Sequence, residues 1–122
     1  RATSWAMSAL NNVEPAVWNH AMLGFFYLWQ DWAEHALPIF DEQGVKRREP
    51  VAGYLGDSQL LEGKFTAFDL LMICVLKIAR RTGLIADYPN LDAYQARGEA
   101  RPAYRRALAS QLADFEDQPA AA

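Results

Sequence analysis

The sequence predicts an all-α domain, and three observations carry that prediction. Ala and Leu together make up 35 of the 122 residues, against 12 for Val, Ile and Thr combined. The first pair loses little freedom in a helix, whereas β-branched side chains are restricted there and fill strands. Apolar residues recur at steps of three and four, and no stretch alternates as a half-buried strand would. Length, 52% hydrophobic residues and 22% charged residues fit one globular domain with a single core.

The first helix follows Thr3 or Ser4, either of which suits an N-cap. Its stripe is Trp5, Ala6, Ala9, Leu10, Val13 and Val17, with Pro15 expected to bend or restart it. The apolar run from Ala21 to Trp29 is too short for a membrane span, which needs roughly 20 residues. With Trp18 and Trp32 it forms an aromatic belt, read as core or a dimer contact because it lacks the basic face of a lipid-surface helix. Pro38 is expected to open the next helix, with Lys46, Arg47, Arg48 and Glu49 on its exposed face, a kink at Pro50 and an end at Gly56-Asp57. Leu60, Leu61 and Gly63 belong to a connecting turn.

Residues 65–84 say most. Thr66-Ala67-Phe68-Asp69 is a capping box: the Thr66 hydroxyl takes the Asp69 N–H, and the Asp69 carboxylate takes the Thr66 N–H. Phe65 and Leu70 are spaced as a hydrophobic staple. The helix behind them is apolar on every side except Lys77, which predicts a buried central helix with others wrapped around it. Arg80, Arg81 and Gly83 supply its stop. Tyr88-Pro89-Asn90-Leu91 then turns into a short helix closed near Gly98. Arg101-Pro102 restarts a helix carrying Tyr104, Leu108, Leu112 and Phe115, and the domain is read as residues 1–116 with a frayed tail over 117–122.

Two segments resemble one family. Leu61-Glu62-Gly63-Lys64-Phe65-Thr66-Ala67-Phe68-Asp69-Leu70-Leu71-Met72 is similar to the start of the central helix in the C-terminal helical domain of glutathione transferases. Gly83-Leu84, Tyr88-Pro89-Asn90-Leu91, Tyr94, Arg97 and Arg101-Pro102-Ala103-Tyr104 are similar to the same domain further along, and helix order matches across nearly the whole chain. The resemblance implies a bundle that walls the pocket for a hydrophobic electrophile and contributes to a homodimer. It also implies that a missing N-terminal thioredoxin-like domain binds glutathione, the cosubstrate, and supplies the catalytic residue. No catalytic residue and no cofactor are therefore expected in this chain, which begins at Arg1 without Met and reads as a trimmed fragment. By the family's arrangement the first turns of the opening helix face the cleft, making Trp5, Ser8, Ala9 and Asn12 the pocket candidates, with Phe115 closing from the last helix. Some proteins with this fold are non-enzymatic interaction modules, which is the alternative.

The remaining features have simple readings. Asp69 is explained as a cap without chemistry. Cys74, mid-helix between Ile73 and Val75, is read as inert core filler, and a single cysteine fits a reducing, cytoplasmic setting. Asp31, His35 and His20 are too sparse for a metal site. Lys46-Arg47-Arg48 and Arg97, Arg101, Arg105 and Arg106 alternate with acids in a chain of net charge −3, so neither nucleic acid nor membrane is expected as a partner.

Overall fold

A computed structural model describes residues 2–116. They form α1 (Ala2–Ser8), a π-helical segment (Ala9–Val13), α2 (Glu14–Met22), a second π-helical segment (Leu23–Tyr27), α3 (Ala33–Leu55), α4 (Ala67–Arg81), α5 (Pro89–Ala100) and α6 (Pro102–Glu116). No strand occurs among the described residues, so the all-α class holds. The frayed tail expected over 117–122 lies outside them.

The first π-helical segment sits directly ahead of Pro15. Proline offers no N–H to the carbonyl four residues back, and the wider turn absorbs that gap: the Glu14 N–H reaches the Ala9 carbonyl instead. The insertion also rotates the apolar stripe. Ala9, Val13, Ala16, Val17 and Ala21 are buried, while Leu10, expected among them, is exposed. Because α1 already includes Ala2, Thr3 and Ser4 lie inside its first turn and not ahead of it.

Pro38 does not open a helix; α3 runs through both Pro38 and Pro50. Both prolines and the residues four before them, Glu34 and Lys46, are exposed, so water can satisfy the carbonyls that lose a donor. Arg48 also departs from expectation. Only 5% of its surface is exposed, and its guanidinium lies 5.4 Å from the Tyr88 ring centre. Burial pulls its pKa below the usual arginine range, opposed by Tyr88, Asp87 and Asp41. The helix stops at Gly56, whose φ of +51° favours glycine. Asn90 then donates from Nδ2 to the carbonyls of Ala52 (2.8 Å) and Gly56 (3.1 Å), tying the start of α5 to the end of α3.

Helix α4 is central, packing against α1, the first π-helical segment, α2 and α5. Met72, Ile73, Val75, Leu76 and Ala79 fill the core between them. It is not buried all round: Leu70 and Cys74 are exposed on its remaining side. Apolar residues had to stand on that side for a reason other than the core of the described residues. Its C-terminus closes as a Schellman turn, with the Leu84 N–H on the Ala79 carbonyl (2.8 Å), the Gly83 N–H on the Arg80 carbonyl (3.2 Å) and Gly83 at φ +78°.

The capping box forms as the sequence requires, and more is built on it. Thr66 N–H and Oγ1–H both donate to Asp69 Oδ2, at 2.9 and 3.0 Å. Thr66 Oγ1 caps the first turn, accepting from the Asp69 N–H and, at 3.3 Å, from the Phe68 N–H. Asp69 Oδ1 accepts from the Leu61 N–H (3.1 Å) and from the Tyr94 hydroxyl (3.0 Å). Burial and the adjacent carboxylate hold that hydroxyl well above the ordinary tyrosine range.

Gly98 does not close α5 but lies within it, where α5 crosses α4. A Cβ there would fall inside van der Waals contact with the Ile73 side chain. The backbone of helix α6 packs on α5, and its Tyr104 reaches α4 through Lys77.

Two outcomes test this architecture. Asp69→Ala removes a cap and strands two buried donors, so it should cost about 2–4 kcal/mol. A thermal midpoint unchanged within a degree would contradict the network. Gly98→Ala should cost about 1–3 kcal/mol by overpacking, and adding Ile73→Val should recover part of it; additive losses would show that the two residues do not meet.

Candidate functional site

The exposed side of α4 faces α6 across an open groove of about 520 Å³. Its geometry follows from local sequence. Arg101 adopts an extended conformation between α5 and α6 (ψ +132°), and Pro102 then starts α6 at an angle that leaves space beside α4. Leu70, Ile73 and Cys74 form one wall, Ala103, Ala107 and Leu108 the other, and Phe65 an end. A smaller recess of about 150 Å³ continues past Phe65 and Arg101 toward Tyr94.

Two cations border the groove. Lys77 Nζ donates to the Tyr104 hydroxyl at 3.2 Å. The Arg101 guanidinium lies over Phe65, 3.6 Å from the ring centre, a cation–π contact. Among the described residues no carboxylate lines the groove. The surface is therefore apolar with a positive margin, suited to receiving a bulky apolar group.

Cys74 stands in the wall and is not core filler as expected. Partial burial pushes its thiol above the usual range, and Lys77, one turn on, opposes that shift. The net direction keeps it a thiol at neutral pH, and so a weak nucleophile. Among the described residues no three of His, Cys, Asp and Glu converge as metal ligands. His20 Nε2 instead pairs with Asp41 Oδ1 at 2.7 Å, and His35 Nδ1 lies 3.4 Å from the Asp31 carbonyl oxygen.

The five pocket candidates take different positions. Trp5 is half-buried, its indole N–H on Glu62 Oε1 (3.0 Å) and its ring 4.4 Å from that of Tyr54. Ala9 is fully buried in the core, Ser8 is half-buried and Asn12 is exposed. Phe115 is 68% exposed on α6, a helix that does not approach α1. None of the five lines the α4–α6 groove or its side recess. Sequence reasoning missed the groove because periodicity marks Leu70 and Cys74 as apolar without saying whether a neighbour covers them. The one available signal was an excess of apolar faces on the central helix.

The belt from Trp18 to Trp32 is core only at Ala21 and Leu23. Trp18, Phe25, Phe26, Tyr27, Leu28, Trp29 and Trp32 are all exposed. No helix among the described residues is long and apolar enough to cross a membrane.

Alkylation checks the thiol. Cys74 should react with iodoacetamide more slowly than free cysteine at pH 7.5 and accelerate as the pH rises past the ordinary thiol range; faster reaction than free cysteine would contradict a raised pKa. Neither known protein-family profiles nor curated protein sequences match this chain.

Proposed function

We propose that this chain is the helical half of a glutathione transferase-type protein, offering an apolar wall to an electrophile and taking part in a homodimer. A thioredoxin-like domain of the parent binds glutathione and stabilises its thiolate. The observation that carries this reading is the Thr66–Asp69 clasp at the head of the central helix, set within the helix order that the resemblance requires. Two further features support it. The α4–α6 groove is apolar and open on the central helix, as a surface that packs against another domain would be. Met7, Leu10 and Trp18 stand exposed along the first helical run, a surface available to a second copy.

The chemistry divides naturally. Addition to an electrophile needs a thiolate, and a thiol ionises little at neutral pH unless its pKa is lowered. Cys74, shifted upward, does not supply that nucleophile. What an apolar helical wall supplies is a dry site that holds the electrophile against the sulfur. In this reading the parent is cytoplasmic. The alternative, a non-enzymatic interaction module of the same fold, draws on the exposed rings of residues 25–32; a thiol-activating residue in the upstream domain separates the two.

The test uses the parent protein and 1-chloro-2,4-dinitrobenzene. Trp5→Phe and Asn12→Ala should change the KM for the electrophile several-fold while the KM for glutathione stays within two-fold. Equal losses for both substrates, or micromolar glutathione binding by residues 1–122 alone in calorimetry, would overturn the division of labour.

A further inference from the structure

The connection between α2 and α3 combines exposed rings with uncompensated negative charge. Phe25, Phe26, Leu28, Trp29 and Trp32 are exposed there, Trp29 by 77%. These rings are held in place. The Trp29 indole N–H donates to the Phe26 carbonyl at 2.8 Å, the Tyr27 and Trp32 rings lie 5.6 Å apart, and Phe25 meets Phe26 edge-on at 6.4 Å. A platform ordered before it meets a partner loses less entropy on binding.

Charge decides what the platform fits. Residues 2–45 contain five acids (Glu14, Asp31, Glu34, Asp41 and Glu42) and not one Lys or Arg. Asp41 pairs with His20, and Glu42 with Lys46. Asp31 and Glu34, beside the rings, are exposed and make no salt bridge among the described residues. A two-fold contact between copies would set these acids against themselves. An anionic membrane would repel them. A cation is attracted both by the carboxylates and by the ring faces.

We propose that the α2–α3 tip docks a basic segment of another protein, whose Arg or Lys side chains stack on Trp29 and Trp32 and pair with Asp31 and Glu34. The inference stands apart from the transferase reading and does not depend on it.

The probe is an acetylated dodecapeptide of alternating Arg and Gly, titrated into the 122-residue chain by calorimetry, with its Glu–Gly counterpart as control. Binding of the Arg peptide alone is expected. Trp29→Ala/Trp32→Ala and Asp31→Asn/Glu34→Gln should each weaken it about tenfold, whereas Asp57→Asn/Asp114→Asn, which removes the same charge elsewhere on the surface, should change it less than two-fold. Equal losses from the two charge-removing pairs would reduce the effect to net charge and overturn the proposal. It is equally overturned if the Arg peptide does not bind. Phosphatidylcholine vesicles bound in its place, or a concentration-dependent dimer abolished by Trp29→Ala/Trp32→Ala, would assign the tip to lipid or to a second copy instead.

Discussion

The fold turns on one carboxylate that has no contact with water. A charge in that position costs several kcal/mol unless donors surround it. Asp69 meets that condition with the N–H and hydroxyl of Thr66, the N–H of Leu61 and the hydroxyl of Tyr94, and it sits at the positive end of the α4 dipole. Two of these partners are local and make a helix cap. The other two belong to the connection before α4 and to α5, so the same group that starts the helix also fixes what packs on it. With Tyr94 anchored, α5 crosses α4 at Gly98, and the crossing admits no side chain there.

That crossing explains why α6 stands off from α4. Once α5 is seated on Ile73, the extended Arg101 leads into an α6 whose backbone packs on α5 and which reaches α4 through the Lys77–Tyr104 contact. Tyr104 and Leu108 are half-buried, whereas Leu112 and Phe115 face solvent. The cationic contacts Lys77–Tyr104 and Arg101–Phe65 span the gap that apolar packing leaves. With so little buried surface, α6 is the element that local opening should release first.

Surface character divides along the chain. The first 45 residues gather the exposed rings and contain no Lys or Arg other than Arg1, while the stretch from α4 to α6 carries most of the arginines. Three of those six arginines are engaged: Arg80 with Asp92 and Glu99, Arg97 with the Gln59 carbonyl, Arg101 with Phe65. The acids beside the α2–α3 rings are not. The α4–α6 groove and the α2–α3 tip therefore present different chemistry, one apolar with a positive margin and one aromatic with a negative margin.

Composition, periodicity and the capping box determined the helical class and both ends of α4, because those features depend on neighbours within four residues; the apolar excess of α4 marked it as central, and packing decided which of its faces is covered. Where the structure departs from the sequence reading, the deciding interaction is long-range or depends on exposure. Pro15 announced an irregularity, but only the register of α1 and α2 on α4 turned it into a π-helical segment that sends Leu10 outward. Pro38 and Pro50 resemble breaks, yet exposed carbonyls let α3 continue through them. Gly98 looked like a stop and proved to be a point of close approach. The apolar side chains of the α4–α6 groove and of the α2–α3 tip have the same sequence signature as core residues. Tertiary structure alone decided that they stay uncovered, because hydrophobicity marks what gains by leaving water, and the path of the chain determines whether anything arrives to cover it.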